Sequence, residues 1–151
     1  MVAVKKSGRL REFPDLFSKL AGGGCSPVDL GDCIFHELRR LLNYRAGPHE
    51  TEFERFGYVK TSVVCYGVRD PTGQVGGASD YAAHLAWAIR TFETRLVPST
   101  VKVQPAKAAG NSPQACWRFL VEGLLWPESA GYVFRCWAIF DLMEGRATLV
   151  R

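Results

Sequence analysis

Residues 79–103 read Ser79-Asp80-Tyr81-Ala82-Ala83-His84-Leu85-Ala86-Trp87-Ala88-Ile89-Arg90-Thr91-Phe92-Glu93-Thr94-Arg95-Leu96-Val97-Pro98-Ser99-Thr100-Val101-Lys102-Val103 and pass from helical to strand patterning. Ala82, Leu85, Ile89, Phe92 and Leu96 recur at helical spacing as one apolar stripe, so the spacing predicts a helix capped by Ser79 and running to about Arg95. Pro98 ends it, and a β pattern starts at Thr100 that Pro105 is expected to close. His84, Trp87, Arg90 and Glu93 lie largely off the stripe. With Phe92 and Leu96 anchored in a core, Glu93 and Arg95 are left as charges at a rigid helix end, where such groups can set the register of a neighbouring subunit. The plainer alternative is that Glu93 pairs with Arg90 one turn back and Arg95 is solvated.

Downstream, residues 116–126 and 132–142 alternate in apolar character around 127–130, the pattern of a hairpin with a four-residue loop. Counting back from that loop pairs Trp126 with Gly131, Glu122 with Arg135, Val121 with Cys136, Phe119 with Ala138 and Trp117 with Phe140. Residues 147–150, after the turn pair Glu144-Gly145, can add a last short strand. Upstream, Ser26 and Pro27 open a helix to about Leu42 with Leu30, Ile34, Leu38 and Leu41 on its buried face. Arg39, Arg40 and Arg45 suit its C-terminal end as solvated cations. Thr51-Glu52-Phe53-Glu54 reads as the capping box of another short helix. Between Phe56 and Tyr66 strand propensity and helical spacing compete, and residues 67–78 read as loop. The expected fold class is therefore α+β: about three N-terminal helices followed by a small antiparallel sheet of three to four strands.

The chain of 151 residues suits one domain, expected over 25–151, behind a basic leader at 1–24. In that leader Phe13, Leu16, Phe17 and Leu20 share one helical face before Gly22-Gly23-Gly24. A helix so short needs its face held by something else, either its own domain or a partner. A content of 47% hydrophobic and 23% charged residues is that of a globular chain, so disorder is not indicated. No apolar run approaches the roughly 18 residues of a membrane helix, and Lys5, Lys6, Arg9 and Arg11 are not followed by a signal-peptide core. The expectation is a cytoplasmic protein without direct membrane insertion. Cys25, Cys33, Cys65, Cys116 and Cys136 form no CxxC pair, which favours free thiols. Cys33-x-x-His36 lacks the second pair that a tetrahedral metal site needs. No cysteine is marked as an activated nucleophile, and no phosphate loop is present. No catalytic, cofactor or metal residue is assigned.

Ala88-Ile89-Arg90-x-Phe92-Glu93-x-Arg95-Leu96 with the following Val97-Pro98-Ser99-Thr100-Val101 resembles the signature of the TssE family, baseplate wedge subunits of type VI secretion systems related to phage tail baseplate proteins. Leu16-Phe17-x-x-Leu20, residues 38–43, the Ser62-Val63-x-x-Tyr66-Gly67 segment, Phe119-Leu120-Val121-Glu122-Gly123 and Phe140-Asp141-Leu142-x-x-Gly145 are similar to further family segments in matching order, from about 13 to 150. Where the family carries Glu-Pro-Arg this chain has Glu93-Thr94-Arg95, so proline's fixed angle is absent. The resemblance implies a fold similar to the sheath handshake domain and a structural role without an enzymatic reaction. The implied partners are the wedge subunits TssF and TssG, then TssK, and the sheath subunits TssB and TssC, in a cytoplasmic baseplate docked at the inner membrane. Partner-binding residues are expected to be Glu93, Arg95, Phe92 and Trp87, with Phe13, Leu16, Phe17 and Leu20 of the leader. Two alternatives stand beside this reading: an anti-adaptor-like regulatory module of the same fold, and a nucleic-acid-binding domain using the basic leader and Arg39, Arg40 and Arg45.

Overall fold

A computed structural model describes residues 30–46, 56–72, 77–106, 116–125 and 132–151. Among them are two α-helices, α1 (Leu30–Asn43) and α2 (Gly77–Phe92), and an antiparallel meander of four strands, β1 (Lys102–Ala106), β2 (Cys116–Leu124), β3 (Val133–Asp141) and β4 (Arg146–Val150). The α+β class follows directly. The helix expected at Thr51-Glu52-Phe53-Glu54, the leader helix and the pairing of Trp126 with Gly131 lie outside the described residues.

Helix α1 forms because Leu30, Ile34, Leu38, Leu41 and Leu42 line one face, with Asp32 in the first turn and Arg40 in the last to oppose the helix dipole. Its end is tied down by Asn43. The Asn43 amide donates to the Arg39 carbonyl and to the Ala147 carbonyl, both at 2.8 Å, and its oxygen accepts from the Ala147 amide at 3.0 Å. One side chain thus pairs with β4 much as a strand would. At the other end Arg151 donates to Asp32 and lies over the Phe35 ring, so α1 runs antiparallel to β4 along one edge of the sheet.

Helix α2 covers the opposite edge, packed on β1. Its buried face is Tyr81, Ala82, Leu85, Ala86, Ala88 and Ile89, wider than the stripe expected from spacing because alanines admit close approach. Tyr81 is the centre of an aromatic cluster with Trp117, Phe119 and Phe140 at centroid distances of 5.4, 5.9 and 5.3 Å. Burial holds its phenol far above the usual range, and its hydroxyl is satisfied by donating to the Arg69 carbonyl at 2.8 Å.

The hairpin register is the one obtained by counting back from the loop: Glu122 opposite Arg135, Val121 opposite Cys136, Phe119 opposite Ala138, Trp117 opposite Phe140. Glu122 and Arg135 form an ion pair on the outer face. The β3–β4 turn is made by the Asp141 carboxylate accepting from the amides of Met143 and Glu144 and by Gly145 at φ 63°.

Several expectations are corrected. Helix α2 begins at Gly77, two residues before Ser79, and ends at Phe92 rather than Arg95, because the next residues turn back on the helix end. Pro105 does not close β1, which continues to Ala106; β1 is an edge strand, where a missing N–H need not interrupt a ladder. The contested stretch before Tyr66 is neither strand nor α-helix but two 3-10 turns, Val59–Thr61 and Val63–Cys65. Arg45 is not a solvated cation: half-buried, it donates to the Gly145 carbonyl.

Gly67 is fixed by geometry. Its φ is +123°, and an added Cβ would lie 2.5 Å from the Tyr44 carbonyl oxygen, where residues 44–46 pair with Val68. Gly67→Ala is expected to destabilise by about 3 kcal/mol, the upper end for a strained backbone position, against little change for Gly57→Ala, which meets nothing. Urea unfolding midpoints check this. Burial also pushes the Cys136 thiol up to about 12 from 9.0. Above pH 9.0 the unfolded chain releases this proton while the folded chain keeps it, so stability falls as pH rises toward about 12. In alkaline unfolding titrations Cys136→Ala is expected to flatten part of that decline, the raised phenol of Tyr81 contributing to the rest.

Candidate functional site

The corner between α2 and β1 is the most heavily stitched part of the molecule. Glu93 still donates its amide to the Ile89 carbonyl at 2.9 Å, and Leu96 returns to the Glu93 carbonyl at 3.2 Å. Leu96 then bridges Leu125, and the Val97 amide reaches the Leu124 carbonyl at 2.9 Å. The Thr100 hydroxyl accepts from the Leu124 amide at 2.9 Å and donates to the Val97 carbonyl at 2.7 Å. Arg90 crosses from the helix to the Val101 carbonyl at 2.7 Å. Gly123 lies beside Leu96 and Val101, close enough that an added Cβ would make ordinary van der Waals contact with both at 3.4–3.5 Å.

Inside this corner sits Glu93, 3% exposed and the single charged residue among the buried ones described. Its Oε1 accepts from the Arg95 amide at 3.0 Å and from Arg95 Nε at 2.7 Å, and its Oε2 accepts from Arg95 Nη2 at 2.6 Å. The forked guanidinium and the backbone N–H of one residue therefore neutralise one carboxylate. These hydrogen bonds, against an opposing effect of burial, raise the Arg95 guanidinium further above its ordinary value. Neither sequence alternative described this arrangement. Glu93 is not an outward charge, Arg90 is not its partner, and Arg95 is half-buried rather than solvated.

The pair forms one wall of a cleft of about 250 Å³ lined by Glu37, Leu41, Tyr66, Phe92, Glu93, Thr94 and Arg95. Helix α1 supplies Glu37 and Leu41, the Gly67 turn supplies Tyr66, and the α2 corner supplies the rest. Tyr66 packs edge-on against Phe92 at 5.4 Å and Tyr44 at 5.7 Å. Burial first, then the nearby Glu37 and Glu93 charges, raise its phenol above the ordinary value, so it stays a neutral hydroxyl. Thr94 is exposed on the rim. Arg95 Nη1 has no hydrogen bond among the described residues. The 3-10 segment leading into Tyr66 presents Phe56, Tyr58, Val63 and Val64 to solvent, with Tyr58 at 94% exposure. A set cation, a neutral hydroxyl and apolar side chains at a rigid corner are equipment for recognising a surface.

Of the residues expected to bind partners, Phe92, Glu93 and Arg95 meet in this cleft, and Trp87 stands behind it, edge-on to Phe92 at 6.1 Å and stacked on His84. Phe13, Leu16, Phe17 and Leu20 lie outside the described residues. Glu37, Leu41 and Tyr66 were missed as site residues; only the Tyr66-Gly67 pair carried a sequence signal. The three arginines proposed for nucleic acid do not act alike: Arg40 pairs with Glu37 at 3.0 Å, Arg45 binds Gly145, and Arg39 is exposed. No group of three or more His, Cys, Asp or Glu side chains able to hold a metal ion occurs among the described residues. None of the described helices is long and apolar enough to cross a membrane. Compared with protein-family models, curated proteins and solved structures, the chain gives no match.

Removing one partner of a buried pair leaves an uncompensated charge, whereas exposed pairs contribute little. Arg95→Met is expected to destabilise by about 2–3 kcal/mol, below the value for a wholly buried pair because Arg95 keeps 30% exposure. Arg40→Met, which removes a pair exposed at 60% and 37%, should change stability by less than about 0.5 kcal/mol in the same denaturation assay.

Proposed function

We propose that this protein is a non-enzymatic structural subunit of a type VI secretion baseplate, assembling into the wedge with TssF and TssG, adjoining TssK, and helping to start polymerisation of the TssB–TssC sheath. The observation that carries this reading is the Glu93–Arg95 pair: the two charges of the signature similar to the family's Glu-Pro-Arg are locked together at a helix end and open onto a cleft. An intramolecular pair of this kind presents Arg95 in one orientation before any partner arrives, which lowers the ordering cost of docking. Phe92, with Trp87 behind it, supplies the apolar part of that contact, and Phe13, Leu16, Phe17 and Leu20 supply a second docking element. The short edge strand β1 is the position at which a sheath strand would add, in a manner similar to the handshake domain, since the β4 edge is held by Asn43 of α1. The place of action is the cytoplasmic face of the inner membrane.

The burial of Glu93 changes how this is tested, since reversing Arg95 would unfold the corner as well as remove a contact. Thr94→Arg places a large cation on the exposed rim and leaves the buried pair intact. The expected result is loss of TssF and TssG from the material co-purifying from native cells, with an unchanged circular dichroism spectrum and melting temperature. Normal recovery of both partners would overturn the docking role of the cleft.

A further inference from the structure

The inward rows of the sheet and the buried faces of both helices form one core, and no described element lies over the opposite sheet face. The register lays out that outer face in rows about 7 Å apart. Its middle row is Gln104, Leu120, Trp137 and Val150, one residue from each strand, so three apolar side chains stand together, with Trp137 and Val150 37% and 44% exposed. Ile139 extends the patch from the next row. Cations flank it on both sides: Lys102 and Arg135 in the row with Glu122, Arg118 in the row with Ile139, and Arg146 one row beyond, opposite Asp141. The two carboxylates are already engaged, Glu122 by Arg135 and Asp141 by the amides of Met143 and Glu144. Lys102, Arg118 and Arg146 are left without an ion pair among the described residues. Arg118 is the sharpest case: half-buried against the sheet, its Nε is shut off from water and meets no acceptor. A buried donor in that state costs stability unless an acceptor is supplied from outside.

We propose that the outer sheet face is a docking site for an acidic amphipathic helix of a partner protein, which lays apolar side chains on the row of Leu120, Trp137 and Val150 and carboxylates on its flanks, one of them accepting from Arg118. Charge complementarity selects this occupant. On the strand positions of the face Lys102, Arg118, Arg135 and Arg146 outnumber Glu122 and Asp141, so a second copy of the same face would be repelled. The dimensions agree: the middle row crosses three strand spacings, roughly 14 Å, which about ten residues of helix cover, and a helix about 10 Å wide sets its flanks over the rows on either side. Nucleic acid fits less well, since Trp137 is the one ring among the described residues of this face and successive bases need a series of rings. A uniformly anionic lipid surface meets Glu122 and Asp141 among the cations, whereas a helix places its charges singly. A carboxylate brought to Arg118 makes a charge-assisted bond where the free protein has an unmet donor. This face is separate from the cleft at Glu93, and the inference does not rest on the secretion reading.

The test presents the purified full chain to a displayed library of helical peptides about 14 residues long, with leucine fixed along one face and Glu, Gln and Lys equally represented at the flanking positions. The expected selection carries Glu on both flanks. Arg118→Met should weaken the selected peptide by about tenfold or more, the size of a lost charge-assisted hydrogen bond, while the melting temperature stays equal or rises because an unpaired buried nitrogen is removed. Trp137→Lys should abolish binding, and Arg39→Met, which removes an exposed cation of α1, should leave it unchanged. No enrichment, selection of Lys or Gln flanks, binding that Arg118→Met and Trp137→Lys leave intact, or tighter binding of oligothymidylate or of phosphatidylserine vesicles to this face would each overturn the proposal.

Discussion

A carboxylate with 3% exposure cannot be left alone, and the corner around Glu93 is organised by that constraint. Arg95, two residues on, meets it with its amide and both donors of one guanidinium edge, which forces the chain to fold back immediately after Phe92. That turn ends α2, delivers Leu96 to Leu125 and Val97 to Leu124, and so sets where β1 enters the sheet. Sheet, helix and cleft share this one junction. Its cost in desolvation explains why it is surrounded by so many other bonds: Arg90 to Val101, and Thr100 to Leu124 and Val97, hold the backbone in the geometry that the ion pair needs.

The two edges of the sheet are handled differently. On the β4 side, Asn43 and Arg151 tie α1 to the strand at both ends, and Arg45 closes on the β3–β4 turn. On the β1 side, α2 packs from above and the strand itself is short, with Pro105 inside it. The aromatic cluster around Tyr81 fills the space between, so the core is a two-layer sandwich of helices on one sheet face. The functional surfaces are what this leaves over: the cleft where α1, the Gly67 turn and the α2 corner meet, and the outer sheet face.

Alternation made the sheet legible. Between Trp117 and Phe140 a register error of one residue would send either Phe119 and Val121 or Cys136 and Ala138 to the outside, and the pairing obtained by counting back from the loop is the observed one. Helix α1 was equally readable to its last turn. The limits were local. Gly77 opens α2 before Ser79 with a positive φ, and no periodicity reports that. The two 3-10 turns keep helical spacing without burying any residue, so Val59, Val63 and Tyr66 satisfied a helical pattern that the fold does not use. Glu93 was the deepest miss at the site. It stands four residues after Ile89 and seven after Ala86, on the side of α2 that is buried, but its charge argued for an outward position; a residue two positions away is not a neighbour on a helix surface, and only the break in the helix brings Arg95 around to it. The turn needs no proline at position 94, since the side-chain pair itself fixes it.

The central claim is that Glu93 and Arg95 act as one unit at this corner. A double-mutant cycle with Glu93→Gln, Arg95→Met and the double variant, read by chemical denaturation, tests it most directly. The account predicts a coupling energy above about 1.5 kcal/mol, with the double variant more stable than the sum of the single losses implies. Additive losses, with coupling near zero, would contradict it.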